Sequence, residues 1–130
     1  MAALDREPAA PGPLITGFTG GRFRIGTTLF PGALLMTPED AQPWAAPALA
    51  ALTAADVASV TGIAQRPEFL LLGTGATLHW PPRAFVAALE AQGIGVETMD
   101  SRAAARAWGV LRGEGRWIVA ALLAVTDSLP

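Results

Sequence analysis

The first third of the chain has short apolar runs separated by Gly and Pro, a pattern that predicts strands joined by tight turns. The stretch "LITGFTGGRFRIGTTLFPGALLM" contains a Gly-Gly and a Pro-Gly dipeptide, and both are turn signals. We therefore predict strands near residues 14–19, 22–30 and 33–36. They are expected to form an antiparallel meander, with Gly26 as a β-bulge in the second strand.

The next segment, "TPEDAQPWAAPALAALTAADVASVTG", is predicted to begin as a loop. Its three prolines, spaced too closely for a long helix, are Pro38, Pro43 and Pro47. Further on, Thr53 is followed three residues later by Asp56, which resembles a capping box with Asp in place of the usual Glu. This pattern predicts a helix of about two turns that stops at Gly62.

The second half of the chain begins with "FLLLGTGATLHWPP", in which a continuous apolar run ends in a Gly-Thr-Gly turn. Residues 69–72 are predicted as a strand covered on both faces, because the run lacks polar alternation. A helix is predicted to start near the Pro pair and to end at Gly93. Phe85, Ala88 and Leu89 share one side of it, so this helix should lie on the sheet.

A second unit of strand and helix follows, and then a last strand. The alternation in "IGVETMD" predicts a strand, and residues 101–111 predict a helix with Arg102 and Arg106 on its polar side. The predicted apolar face of this helix comprises Ala103, Ala104, Ala107, Val110 and Leu111. The final "GRWIVAALLAV" is almost entirely apolar, which is typical of a strand at the centre of a sheet.

This order of elements predicts the fold class. We expect a small three-layer α/β fold in a single domain, with an N-terminal antiparallel β-meander followed by alternating β and α around a mixed central sheet. The domain is expected to span residues 14–126. Residues 1–13 contain "EPAAPGP" and are predicted as a disordered leader, and residues 127–130 as a flexible C-terminus.

Composition narrows the function classes. Of the 130 residues 52% are hydrophobic and 15% charged, but the longest apolar run falls short of the about 20 residues that a membrane span needs, so no membrane insertion is expected. All nine basic residues are Arg and the net charge is -2, which argues against nucleic acid as a partner. With no Cys, and no apolar stretch of signal-peptide length at its start, the chain is expected to be cytoplasmic.

The same inventory offers little for catalysis. A single histidine, His79, cannot supply a multi-imidazole metal site, and a lone His beside a Trp is more typical of a surface or packing residue than of a general base. No local base accompanies any serine, and no nucleophile elbow is present. We therefore predict no catalytic residue, no metal and no cofactor.

The turn Gly73-Thr74-Gly75 admits two interpretations. A phosphate cradle would need the helix to start directly after the glycines, but five residues intervene before Pro81, and the chain has no Lys. The pattern favours a tight strand exit in which glycine permits positive φ or close packing. A small anion or a polar ligand remains open.

The start of the helix at residue 101 is the other candidate. Asp100 or Ser101 can cap it, while the positive charges of Arg102 and Arg106 near a helix N-terminus would be relieved by a bound anion. The alternatives are a solvated arginine face and, for Glu114 with Arg116, a structural ion pair. The complete set of candidate ligand-binding residues is Gly73, Thr74, Gly75, Asp100, Ser101, Arg102, Arg106, Glu114 and Arg116.

Three stretches carry a family resemblance: "ITGFTGGRFRIGTTLFPGALLMTPEDAQPW", "PEFLLLGTG" and "GIGVETMDSRAAARAWGVLRGEGRWIVAALL". From about residue 14 to residue 123 the chain resembles the family of mitochondrial respiratory complex I assembly factor 3 and its bacterial and archaeal relatives of unknown function. The most distinctive parts are the Gly-Thr-Gly after an apolar strand, the Met-Asp-Ser helix start and the Glu-x-Arg before the last strand.

The resemblance implies a small three-layer α/β fold and, for the mitochondrial members, a non-enzymatic role in assembling NADH:ubiquinone oxidoreductase. Family members commonly read M-D-T-x-A-A-C-R-T-Y-N at the helix start. This chain has Ala105, Ala107, Trp108 and Gly109 at the places of the Cys, Thr, Tyr and Asn. If those polar side chains are catalytic in the family, this protein has lost them.

Two functions from different classes remain open. The favoured one is a non-enzymatic interaction or assembly domain that holds a partner protein, to which the resemblance adds a respiratory-complex subunit as the partner. It predicts one patch of exposed apolar side chains such as Trp44, Leu78 and Trp80. The alternative is a small-molecule or anion-binding protein, or an enzyme, with its site between the loop at 73–75 and the helix at Ser101.

Overall fold

The computed structural model describes residues 12–125; the predicted C-terminus at 127–130 and all but the last two residues of the predicted leader lie outside the described residues. Its strands are β1 Ile15–Thr19, β2 Arg22–Ile25, β3 Thr28–Phe30, β4 Ala33–Met36, β5 Ala41–Trp44, β6 Phe69–Gly73, β7 Gly95–Met99 and β8 Val119–Leu122. Its helices are two 3-10 turns, Leu49–Ala51 and Ala54–Val57, and α1 Ala58–Thr61, α2 Arg83–Ala91 and α3 Ser101–Gly113. None of the helices within residues 12–125 has the length and apolarity that a membrane-spanning helix requires.

Two sheets organise these elements. β1, β2 and β3 form an antiparallel sheet, and the other five strands form a mixed sheet in the order β5-β4-β8-β6-β7. β8 pairs antiparallel with β4 and parallel with β6, so its predicted central position is confirmed. The predicted fold class, a small α/β fold with an antiparallel meander and a mixed sheet, is also confirmed.

The mixed sheet separates two hydrophobic cores, which explains its continuous apolar strands. Along β6, Leu70 and Leu72 pack into the core beneath α1 and α2, whereas Leu71 packs into the core beneath α3 and the small sheet. Successive side chains of a strand point to opposite faces, so a strand covered on both sides is apolar at every position. The same alternation places Val119 in the first core and Leu122 in the second.

The meander differs from the prediction in its second and third strands. The predicted strand at 22–30 is two strands, β2 and β3, joined at Gly26, whose φ of 61° suits a two-residue hairpin turn. Gly26 is therefore not a bulge; the register irregularity lies in β1, between Ile15 and Gly17. β4, predicted as the last strand of the meander, belongs to the mixed sheet instead.

The loop predicted around the three prolines contains a strand, β5, which pairs with β4. Pro43 lies within it, opposite Leu34, and is exposed. Proline cannot donate a backbone hydrogen bond, but β5 is an edge strand of the mixed sheet, where the unpaired side needs no donor. The prediction of a loop was wrong because it treated proline as a breaker without considering an edge.

The helical segment after Thr53 is confirmed, although half of it is a 3-10 helix. The carboxylate of Asp56 accepts hydrogen bonds from the backbone N–H of Thr53 at 2.8 Å and from its hydroxyl at 2.9 Å. The 3-10 turn Ala54–Val57 runs into the single turn of α1, and the N–H of Gly62 closes the last turn on Ala58. This short segment covers one end of the first core through Val57.

The buried face of α3 is rotated relative to the prediction. Ala104, Ala105 and Trp108 are buried, whereas Val110, predicted on the apolar face, is 62% exposed. The large indole of Trp108 determines which face turns inward, and its Nε1 donates to the carbonyl of Pro13 at 2.9 Å. That bond ties the start of the described chain to the middle of α3.

Candidate functional site

Five of the predicted site residues meet where β6 and β7 end, and we call them the Ser101 junction: Gly73, Thr74, Gly75, Asp100 and Ser101. β6 and β7 are parallel, so the residues that follow them lie at the same edge of the sheet, as predicted. The buried hydroxyl of Ser101 donates to the carbonyl of Leu123 at 2.7 Å and accepts from the N–H of Gly75 at 2.8 Å. Its backbone N–H donates to the carbonyl of Gly75 at 2.9 Å.

The two glycines of the junction are required by its geometry. A Cβ atom on Gly73 would lie 2.7 Å from the Oγ of Ser101 and 2.9 Å from its Cα, closer than real contacts allow. Gly75 has a φ of 100°, which L side chains rarely adopt. Close packing of strand on helix and one left-handed residue therefore account for both glycines without a ligand.

The remaining polar groups of the junction bind one another. The buried hydroxyl of Thr74 donates to the carbonyl of Thr77 at 2.7 Å and accepts from the N–H of His79 at 3.2 Å. Asp100 caps α3, since its Oδ1 accepts from the N–H of Ala103 at 2.9 Å. Because these bonds occupy the groups that could orient a ligand, the junction presents few free donors.

The two arginines near this helix start are exposed, and one of them contacts the small sheet. Arg102 is exposed, and its guanidinium carbon lies 5.4 Å from the ring centroid of Phe18 in β1, a cation–π contact. Arg106 is exposed one turn further along α3. An arginine held over an aromatic ring of the small sheet has a structural use, so its presence does not require an anion.

Glu114 and Arg116 lie at the other end of the sheet. Arg116 precedes β8 and pairs with Glu68, which precedes β6, through Nε and Nη2 contacts of 2.7 Å each to Oε1. Parallel strands of four to five residues separate this pair from the Ser101 junction, a distance of roughly 15 Å. Arg116 thus forms its ion pair with Glu68, and not with Glu114 as the sequence predicts.

This ion pair shifts the titration of both partners. The hydrogen bond from Arg116, together with one from the backbone N–H of Trp117, holds the pKa of Glu68 below its ordinary value. The same hydrogen bond raises the pKa of Arg116. Both side chains are substantially solvent-exposed, 40% and 43%, so solvent screening keeps the contribution of the pair small.

The structure has a groove beside β7, an edge strand of the mixed sheet, that was not identified from the sequence. We call it the edge groove; it has a volume of about 560 Å³ and runs between α2 and β7. Its lining residues are Trp80, Pro81, Arg83, Val86, Ala87, Glu90, Val96 and Thr98. Because β7 stands at the end of the strand order, the groove opens along an edge of the sheet.

The edge groove is apolar along its middle and charged at its ends. Trp80 is 74% exposed, an unusual state for an indole, and Leu78 in the same loop is 47% exposed. Arg83 and Glu90, at the two ends of α2, give the groove opposite charges at its ends. Trp44, expected in the same apolar patch, lies in β5 at the opposite edge of the sheet.

The structure offers no cluster for a metal in the part it describes. Within residues 12–125, no group of three or more His, Cys, Asp or Glu side chains is arranged to hold an ion. The ring of His79 is exposed, and its Nε2 lies 2.9 Å from the hydroxyl of Thr77. The described site features are therefore a closed polar junction and an open apolar groove.

Comparison with known proteins gives a family but no activity. A family model described as "Protein of unknown function (DUF498/DUF598)" matches residues 15–123. An uncharacterised protein from Rhodobacter capsulatus is 36% identical over 126 residues, which cover 96% of each chain. The family model and this relative therefore both span essentially the whole described structure.

Two solved structures are similar over most of their length. The solution structure of a Bordetella pertussis protein, described as a Mth938-like domain, is 31% identical, covers 95% of this chain and 93% of that chain, and has a TM-score of 0.77. The crystal structure of a Bartonella henselae protein described as an outer membrane protein is 27% identical, covers 92% of this chain and 100% of that chain, and has a TM-score of 0.79. The fold described above is thus the Mth938-like fold.

Proposed function

The chain belongs to the DUF498/DUF598 family, and we propose that it is a non-enzymatic interaction domain that holds a segment of a partner protein in the edge groove. The observation that carries this proposal is the exposure of Trp80 beside an open apolar groove at a sheet edge. An exposed indole next to Val86 and Ala87 loses unfavourable water contacts when a partner covers it. Trp is also a residue type that often supplies much of the binding energy in protein interfaces.

The alternative, a small-molecule or anion site at the Ser101 junction, has less support. Hydrogen bonds engage the hydroxyls of Thr74 and Ser101 and the Oδ1 atom of Asp100. The guanidinium of Arg102 contacts Phe18. A ligand would have to displace these bonds before it gained any of its own.

A finer proposal concerns the partner. The resemblance to the complex I assembly factor 3 family supports a subunit of NADH:ubiquinone oxidoreductase as the partner, with the protein acting in the cytoplasm. With no Cys, the chain needs no oxidising compartment to form disulfides. Deleting the gene in the native host should then lower the amount of assembled NADH:ubiquinone oxidoreductase while leaving other respiratory complexes unchanged. Unchanged amounts of that enzyme would remove this partner from consideration.

The groove itself is tested by peptide selection. A phage-displayed library of random nonapeptides is selected on the purified protein, and the enriched peptides are measured on two variants with matched chemistry. Ala87→Arg puts a long charged side chain into the groove from an exposed position of α2. Val110→Arg adds the same side chain at an exposed position of α3, outside the groove. We expect Ala87→Arg to weaken binding by at least about tenfold and Val110→Arg to leave it unchanged. Failure to enrich any peptide, or equal binding by both variants, would refute the groove as a docking site.

A further inference from the structure

We propose that the partner segment binds as an added β-strand, antiparallel to β7, with an acidic residue near Arg83 and a basic residue near Glu90. This inference rests on the proposed function, because it specifies how the edge groove is filled. It excludes a helical ligand and names the chemistry of the segment. Strand addition to a free sheet edge is a known mode of peptide recognition, in which backbone hydrogen bonds give affinity and side-chain pockets give selectivity.

The backbone of β7 has donors and acceptors available on its outer side. Within residues 12–125, β7 pairs with β6 alone, and the carbonyl of Met99 accepts from the N–H of Thr74 at the end of β6. In a strand, the N–H and C=O of one residue point to the same side and those of its neighbours to the other. The backbone groups of Val96 and Thr98 therefore point outward, towards the free edge.

The same two residues line the edge groove with their side chains. A strand added at this edge would hydrogen-bond to the backbone of Val96 and Thr98 and place alternate side chains over the groove, against Trp80 and Val86. Backbone and side-chain recognition would thus act along one strip of the surface. This coincidence favours an extended ligand over a helix, which would leave the edge groups unpaired.

The two edges of the mixed sheet differ in how they are protected. Natural edge strands are commonly blunted by proline, lysine or a bulge, which prevent pairing with other chains. β5 carries Pro43 at one edge, whereas β7 has a regular five-residue register with β6 and neither proline nor lysine. Its single charged residue is Glu97. The edge beside the groove is therefore the one left able to pair.

A second copy of the chain is a poorer occupant than a different segment. Two identical strands related by a twofold axis pair antiparallel, and full overlap of β7 with itself would place Glu97 opposite Glu97. Like charges directly opposite each other are destabilising. Other registers would shorten an already short strand pair, which argues for a segment with a different sequence.

Charge at the ends of the groove sets the direction and sequence of the segment. α2 connects the parallel strands β6 and β7, so it runs antiparallel to them and brings Arg83 to the Thr98 end and Glu90 to the Val96 end. The two charged residues are seven apart, about 10 Å along the helix. An antiparallel strand enters at the Thr98 end, and antiparallel ladders are slightly more stable than parallel ones. The added strand should carry an acidic residue, an apolar residue two positions later and a basic residue two positions after that. The acidic and basic residues are then about 13 Å apart along the strand, close to the separation of Arg83 and Glu90.

The peptides enriched from the nonapeptide library test this inference separately from the proposed function. We expect a shared acidic-x-apolar-x-basic pattern, in that order. The binding of these peptides should weaken at least about tenfold in Thr98→Pro, which removes an outward N–H, and should persist in Thr98→Val, which keeps it. A basic-first pattern, or equal binding by both variants, would overturn the inference. The groove would remain a docking site if Ala87→Arg still weakened binding at least about tenfold.

A scan of the peptide backbone keeps the test independent of how the Thr98→Pro variant folds. Each peptide amide is N-methylated in turn, and binding to the unmodified protein is measured. Strand addition predicts that every second methyl group abolishes binding, because alternate N–H groups face β7. Loss without this period of two would overturn the inference. So would a concentration-dependent dimer of the unliganded protein that disappears in Thr98→Pro, since the occupant of the edge would then be a second copy.

Discussion

A Cβ atom on Gly73 would lie 2.7 Å from the Oγ of Ser101, so the end of β6 and the start of α3 are packed as closely as the backbone allows. The Ser101 hydroxyl also bridges Gly75 and the carbonyl of Leu123, the residue that follows β8. One serine therefore joins two parallel strands to the helix above them. Ser101 therefore has a structural role, and its contribution can be measured as a change in the free energy of unfolding.

We predict that Ser101→Ala lowers the free energy of unfolding by about 2–4 kcal/mol, because the buried N–H of Gly75 and the partly buried carbonyl of Leu123 lose their partner. Ser59→Ala, at an exposed position of α1, should change it by less than about 0.5 kcal/mol. Urea unfolding followed by circular dichroism gives both values. Equal stability of the two variants would mean that the bonds of Ser101 contribute nothing net to the fold.

A second prediction concerns the central strand β8. Leu122 is fully buried, and an unpaired carboxylate there costs several kcal/mol, comparable with the whole stability of a small domain. Leu122→Asp should therefore abolish soluble expression, whereas Leu78→Asp, the same change at an exposed loop position, should express at the wild-type level. A soluble Leu122→Asp protein with the wild-type melting temperature would show that β8 tolerates a charge and is not central.

The elements that could be predicted from the sequence are those with a local signal. The apolar run of β6, the amphipathic period of α2 and the Thr53–Asp56 cap each carry enough information within a few residues. β5 could not be predicted, because whether a strand tolerates Pro43 depends on its position at a sheet edge, which only the assembled sheet determines. The membership of β4 in the mixed sheet is likewise a matter of long-range pairing with β8.

The candidate site shows the same division between features with a local sequence signal and features that depend on long-range contacts. The meeting of the 73–75 turn with Ser101 follows from two parallel strands, a topology that the alternating β and α pattern predicts. The sequence spacing predicts an ion pair between Arg116 and Glu114 as the alternative to a site role, but the partner of Arg116 is Glu68, 48 residues away along the chain. The edge groove was missed because an unpaired strand edge has no sequence signature. The one available signal was a Trp, Trp80, directly before a proline pair.

The pair of Glu68 and Arg116 predicts a pH dependence of stability. The pKa of Glu68 is lower in the folded state, so the unfolded chain binds more protons and the pair stabilises the fold above the unfolded pKa, near the ordinary Glu value of 4.5. That contribution is lost as the pH falls through the folded pKa. The difference in unfolding free energy between wild type and Glu68→Gln should therefore be present at neutral pH and vanish in acid.

The cause of this pH dependence can be tested with a double-mutant cycle. Because the hydrogen bond from Arg116 is the main reason for the lowered pKa of Glu68, Glu68→Gln should have a much smaller pH-dependent effect in an Arg116→Gln background. Chemical unfolding at a series of pH values supplies the four curves. A difference that stays constant with pH would contradict the assignment of the pKa shift to this pair.

A fourth prediction separates the interaction domain from the anion-binding alternative. Phosphate, sulfate and a panel of carboxylate metabolites should give no saturable rise in melting temperature, since the polar groups of the Ser101 junction are already hydrogen-bonded to one another. The control is a double variant, Arg102→Gln with Arg106→Gln, which changes two exposed residues. A saturable rise that disappears in this variant would restore the ligand hypothesis.

The last prediction asks whether the exposed indole of the edge groove serves folding. Trp80 is 74% exposed, so the chain removes little of its apolar surface from water on folding and gains little stability from it. Trp80→Ala should change the free energy of unfolding by less than about 0.5 kcal/mol, whereas Phe85→Ala, which empties a fully buried position of α2, should lower it by about 3–5 kcal/mol. Denaturant unfolding of both variants measures the contrast. If Trp80→Ala also removed more than about 1 kcal/mol, the indole would be a packing residue of the fold, and its place in the docking groove would need another explanation. With stability retained, a loss of peptide binding by the same variant would be a loss of contacts in the groove.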